Sequence, residues 1–91
     1  MARKKNKYTP LQFKEDCKHL LDIAGNSLNY LNKDVNNYRM TFGDEELGLF
    51  CDVYLSTRTV IVRTKYNTPV YYRKQSWSQI ERIFNNIFNH W

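Results

Sequence analysis

Residues Leu47–Lys74 read LGLFCDVYLSTRTVIVRTKYNTPVYYRK, and the fold is decided there. Apolar and polar side chains alternate along the stretch, the period-two signature of half-buried strands. Leu47, Leu49, Cys51, Val53 and Leu55 share one face of a first strand. Gly48, Phe50, Asp52 and Tyr54 share the other. Ser56-Thr57-Arg58 reverses the chain. A second strand puts Val60, Val62, Thr64 and Tyr66 on one face and Thr59, Ile61, Arg63 and Lys65 on the other. Asn67-Thr68-Pro69 turns it again, because proline donates nothing to a ladder and asparagine tolerates turn geometry. The last strand, Val70 to Lys74, opposes Val70 and Tyr72 to Tyr71 and Arg73.

Working outward, Tyr38, Met40 and Phe42 alternate with Arg39 and Thr41, as in one further short strand. Gly43 to Glu46 reads as a turn. Before it, Thr9 and Gln12 form a capping box with Pro10 at the first helical position, and Tyr8 and Phe13 occupy the places of a hydrophobic staple. Phe13, Cys17, Leu20, Leu21, Ala24, Leu28, Leu31 and Val35 fall within an arc of about 100° at helical pitch. The stripe stays in phase across Gly25-Asn26, so one helix to about Leu31 is expected. After the strands, Ser76 and Gln79 form a second capping box. Trp77, Ile80, Ile83, Phe84, Ile87, Phe88 and Trp91 then make a second apolar stripe, with Trp91 docked.

The fold class implied is α+β. A small antiparallel sheet of three to four strands carries an N-terminal and a C-terminal helix on one face, giving a two-layer sandwich. Residues 9–91 make one domain and residues 1–8 a flexible basic arm. The expected core joins Leu47, Leu49, Cys51, Val53, Val60 and Val62 to Phe13, Leu20, Leu28, Ile80, Ile83, Phe84 and Phe88. The order α-β-β-β-α is similar to that of the double-stranded RNA-binding domain. The likeness is one of element order. That family has glycines and a lysine cluster where this chain reads Arg73-Lys74-Gln75-Ser76-Trp77-Ser78, with two bases and no glycine.

The net charge of +5 is unevenly placed. Arg3, Lys4, Lys5 and Lys7 stand in the arm without an acid. Residues 8–52 carry twice as many acids as bases, and residues 53–91 carry six bases against Glu81 alone. Such asymmetry steers a polyanion to one side, or lets copies pack head to tail. The two cysteines, Cys17 and Cys51, fall on apolar faces. They read as buried thiols of an intracellular, cytoplasmic protein; association with a virion is compatible with this. No apolar run approaches transmembrane length, so no membrane partner is expected. The many Asn, Lys and Tyr residues are compatible with an AT-rich genome, including that of a phage.

The outward face of the sheet would show Tyr54, Ile61, Arg63, Lys65, Tyr71 and Arg73, with Phe50 and Asp52 nearby. Rings between cations suit single-stranded DNA or RNA, since bases stack on rings while cations meet phosphates. The expected interface is therefore Arg3, Lys4, Lys5, Lys7, Tyr54, Arg63, Lys65, Tyr71 and Arg73. The alternative is a protein-interaction module, such as a phage or viral accessory protein, a host-enzyme inhibitor or a small structural component of a larger particle. There the tyrosine-rich face is a hot-spot patch. A homo-oligomer fits either reading. No catalytic motif, phosphate loop or metal signature occurs, so no enzyme activity and no cofactor are expected. Asp16, Cys17 and His19 are near in sequence but point apart on a helix.

Overall fold

The computed structural model describes residues 8–24 and 29–90. Helix α1 spans Pro10–Ala24 and begins as its caps dictate. The Thr9 hydroxyl accepts from the Gln12 N–H at 3.1 Å, and the Phe13 N–H bonds the Thr9 carbonyl at 3.0 Å. The rings of Tyr8 and Phe13 both pack on Tyr38, at centroid distances of 4.8 and 5.3 Å. Phe13, Cys17, Leu20 and Ala24 are its buried side chains.

The helix ends at Ala24, earlier than the apolar stripe implies. Asn29–Asp34 is instead a strand, β1. In sequence, Gly25-Asn26 is a combination that favours a helix end. Beyond it the apparent stripe is a coincidence of spacing, since Leu31 and Val35 are exposed. The segment pairs instead with the strand Arg39–Asp44, and Tyr30 meets Phe42 across that ladder. Continuity through Gly25-Asn26, and the core place expected for Leu28, lie outside the described residues. So do the side chain of Phe88, the docking of Trp91 and residues 1–7.

Four more strands follow: β2 Arg39–Asp44, β3 Leu49–Tyr54, β4 Thr59–Thr64 and β5 Val70–Tyr72. The sheet thus has five strands rather than three to four, in the order β1-β2-β3-β4-β5, with every neighbouring pair antiparallel. Helix α2, Trp77–His90, closes the described chain. Its start is a reciprocal capping box: Ser76 N–H donates to Gln79 Oε1 at 2.8 Å, and Gln79 N–H donates to Ser76 Oγ at 3.2 Å.

The first three hairpins share one construction. Each loop has four residues and ends on a left-handed residue: Tyr38 (φ 52°), Gly48 (φ 67°) and Arg58 (φ 56°), ten positions apart. In the first two, an aspartate closes the loop from inside. Asp34 Oδ1 accepts from the Asn36 and Asn37 N–H groups, and Asp44 Oδ1 from those of Glu46 and Leu47. A left-handed backbone is free for glycine but strained for tyrosine or arginine. Those two side chains are held by contacts that offset the strain. Tyr38 lies against Tyr8 and Phe13, and the Arg58 guanidinium sits 4.1 Å from the Trp77 ring centroid.

Met40 and Phe42 of β2, Leu49, Cys51 and Val53 of β3, and Val60 and Val62 of β4 face the helices. They join Phe13, Cys17, Leu20, Ala24, Ile80, Phe84 and Ile87 in one buried cluster. Leu47, expected in this core, is 57% exposed. The left-handed Gly48 delays the strand to Leu49 and leaves Leu47 in the turn. Tyr66 likewise lies beyond the end of β4 and is exposed. Both cysteines are free and buried, and burial pushes both thiols up from their ordinary pKa.

Thr64 faces the same side as Val62, and its Oγ1 is buried without a partner among the described residues. An unpaired buried hydroxyl carries its full desolvation cost, so Thr64→Val is expected to stabilise the fold by about 1 kcal/mol. Urea denaturation checks this; a lower midpoint for the variant would mean that the hydroxyl has a partner in solution.

Candidate nucleic-acid interface

The face of the sheet turned from the helices carries no covering element among the described residues. Its side chains form three rows across the strands, because residues opposed in register point the same way. Arg39, Tyr54 and Thr59 form one row; Thr41, Asp52, Ile61 and Tyr71 the next; Gly43, Phe50 and Arg63 the third.

Asp52 is the hub. Its Oδ1 accepts from the Thr41 hydroxyl at 2.8 Å, and its Oδ2 from Arg63 Nε at 2.7 Å, with Arg63 Nη2 at 3.3 Å from Oδ1. Asp52 and Thr41 are only 7% and 5% exposed, although no helix covers this face. Their neighbours lean over them. The Arg63 guanidinium lies diagonally across from Asp52 and 5.1 Å from the Phe50 ring centroid. Phe50 in turn lies over Gly43, where an added Cβ would stand 3.1 Å from the ring and 2.2 Å from the Leu49 carbonyl oxygen. The absence of a side chain at Gly43 is what lets β2 and β3 pair tightly beneath that ring.

A second cation is fixed at the other row. Arg39 Nη2 stands 3.5 Å from Asp34 Oδ2. Its guanidinium is held above the usual arginine value, first by the neighbouring Tyr54 side chain and against the opposing effect of burial, while its Nε is buried without a partner among the described residues. Asp34 is held below the usual carboxylate range, first by the Asn37 side-chain amide.

No family model, curated protein or solved structure matches this chain.

The expected interface residues are therefore placed by geometry alone. Tyr54, Arg63 and Tyr71 lie in the three rows of one face, as the alternation implies. Tyr54 is half-buried, and Arg63 is engaged by Asp52. Tyr71 is 55% exposed, and the Arg73 guanidinium lies 5.6 Å from its ring centroid. Lys65 lies past the end of β4, its aliphatic stem crossing Gly48, whose bare Cα leaves the room. Arg73 lies past the end of β5, so Lys65 and Arg73 mark opposite ends of the face. Neither has an ion-pair partner among the described residues. Arg3, Lys4, Lys5 and Lys7 lie outside the described residues.

Alternation puts Asp52 on this face but does not reveal it as the hub. The signal was present, since Asp52 is the sole acid from Leu47 to Lys74, two positions diagonal from Arg63. Arg39 and Phe50 were also missed as members of the paired-charge framework. Elsewhere, the Tyr8 hydroxyl donates to Asp16, and burial with that bond pushes Tyr8 upward in pKa. The His19 ring packs on Trp77 at 4.3 Å, so Asp16, Cys17 and His19 have separate structural partners. Among the described residues, no three His, Cys, Asp or Glu side chains could hold a metal ion, and no helix is long and apolar enough to cross a membrane.

Proposed function

We propose that this chain is a small non-enzymatic nucleic-acid-binding protein whose contact surface is the β4–β5 side of the open sheet face. The observation that carries this reading is the exposed Tyr71 ring with the Arg73 guanidinium beside it, on an acid-free edge that also bears Lys65. A base stacked on Tyr71 contributes about 1–3 kcal/mol. Lys65, Arg73 and the solvent-facing part of Arg63 meet phosphates, and the arm residues Arg3, Lys4, Lys5 and Lys7 add further pairs. A single strand is favoured, since a flat aromatic face reads unstacked bases.

A polarisation titration with labelled 15-mers of deoxythymidine and of uridine tests this. The sheet cations alone, meeting about three phosphates, give a salt slope near −2, so affinity is expected to fall at least about sixteenfold between 50 and 200 mM salt, and more steeply with each arm pair. Tyr71→Ala is expected to weaken binding at both concentrations. Absence of binding to either strand at 50 mM overturns the reading.

A second reading, a protein-interaction module, is favoured by one feature. The centre of the face is charge-compensated, by Asp52 with Arg63 and by Asp34 with Arg39, around half-buried Phe50 and Tyr54. Rigid aromatics with paired arginines are common hot-spot chemistry. In that case Tyr71→Ala reduces binding to a protein partner and the oligonucleotide titrations stay flat.

A further inference from the structure

On the helix side, α2 leaves β5 uncovered. Val70 and Tyr72 point to that side, opposite Val62 and Val60, yet are 47% and 38% exposed. A cavity of about 520 Å³ lies between them and α2, walled by Val62, Val70, Ile83 and Ile87. Four carboxamides, Asn67, Gln75, Gln79 and Asn86, line its polar side together with Arg82. No acid lines it, and none occurs from Val53 to Ile80. β5 is also the last strand of the sheet, with its far edge unpaired among the described residues.

We propose that this groove binds a short extended peptide carrying a carboxylate, which adds to β5 as a sixth strand and sets alternate side chains between β5 and α2. Three properties converge on that ligand. An open strand edge offers main-chain hydrogen bonds to an extended chain and leaves alternate side chains to be read by pockets. The carboxamides of Asn67 and Asn86 each hold a donor and an acceptor and so match a peptide amide, Gln75 and Gln79 keep the part of that capacity not used in their bonds to the Arg73 carbonyl and the Ser76 N–H, and the fork of Arg82 matches a carboxylate. The cavity has the size of a built ligand site and an apolar floor for side chains. A second copy is disfavoured as the occupant. A second β5 with its flanks, Lys65 to Ser78, carries no carboxylate to meet Arg82. Pro69 and the three-residue length of β5 limit any added strand to a short segment, which is why the ligand is a short peptide. The groove lies on the opposite face from Tyr54 and Tyr71, so this site stands or falls separately from the nucleic-acid surface.

The test is selection of a yeast-displayed library of random nonapeptides against the 91-residue chain, then a polarisation titration of an enriched, fluorescein-labelled peptide. Enriched peptides are expected to alternate apolar and polar residues and to carry Asp, Glu or a free C-terminal carboxylate. Arg82→Glu changes an exposed side chain and is expected to weaken that peptide about tenfold or more. Repeating the selection on this variant is expected to enrich Lys and Arg in place of acids, a reversal that loss of folding cannot produce. Amide shifts on β5 and α2 complete the expected result. The proposal is overturned if no peptide is enriched, if Arg82→Glu leaves affinity unchanged, or if the shifts fall around Phe50, Tyr54 and Arg63 instead. It is also overturned if the chain self-associates through β5 and excludes the peptide.

Discussion

Phe42→Ala is expected to destabilise the protein by about 3–5 kcal/mol, the usual range for a fully buried phenylalanine. Phe42 is completely buried, and its ring lies 5.4 Å from Phe84 of α2 and 5.8 Å from Tyr30 of β1. One truncation therefore loosens the sheet from a helix and the central strands from the edge strand together. A chain of this size has a total stability of roughly 5–14 kcal/mol, so the loss takes a large share of it. The expected fall in melting temperature is on the order of 20 °C, read by circular dichroism. Phe42→Leu keeps most of the volume and is expected to cost about 1–1.5 kcal/mol. If alanine and leucine cost the same, the cavity is being refilled and Phe42 is not the bridge described.

The second large effect is expected at Asp52. Its carboxylate holds one buried hydroxyl and one partly exposed guanidinium. Removing it in Asp52→Ala leaves Thr41 Oγ1 unpaired in a buried place, at about 1–3 kcal/mol, and forfeits a charge-assisted bond to Arg63. Arg63 is 44% exposed in its side chain, so water takes up much of what it loses. The total is expected near 3 kcal/mol, below the cost of stranding a fully buried charge. Asp52→Asn keeps an acceptor for Thr41 and is expected to cost about half as much. The two variants also bear on function. Releasing Arg63 from its carboxylate strengthens the phosphate contact assigned to it, so Asp52→Asn is expected to bind single strands more tightly. A variant that is less stable yet binds more tightly separates the two roles. Weaker oligonucleotide binding by a folded Asp52→Asn would mean that the Asp52–Arg63 pair is itself part of the contact.

Local signals made much of this architecture readable. The reciprocal Ser76–Gln79 box starts α2, Thr9 starts α1, and the alternation from Leu49 to Val62 assigns both faces of β3 and β4. β1 was not readable. Asn-Tyr-Leu-Asn-Lys-Asp has no period and only Tyr30 as a strong strand former, and its pairing rests on β2 and on the contact of Tyr30 with Phe42. That is a tertiary cause acting on a weak local preference. The end of α1 was hidden for a related reason, since Leu28, Leu31 and Val35 happened to continue the stripe. For the outward face, alternation could place Tyr54, Arg63 and Tyr71 together. It could not show that Arg63 is already engaged, because the Asp52–Arg63 contact depends on a diagonal between strands. Nor could it show the groove beside β5, which exists only because α2 stops short of the last strand.

The meander has a kinetic consequence. Every strand pairs with its neighbour in sequence, and each of the first three reversals closes a loop of four residues. Short loops lose little entropy on closure, and local pairings can form before distant ones. The sheet can therefore assemble by adding one hairpin arm at a time. The steps that bring remote segments together are the docking of α1 and α2 on its inner face. The buried rings Phe13 and Phe84 thus belong to late, helix-docking steps, while the loop aspartates Asp34 and Asp44 act early. Substitutions at the loops should be felt in the rate of folding, and those at the rings in the rate of unfolding.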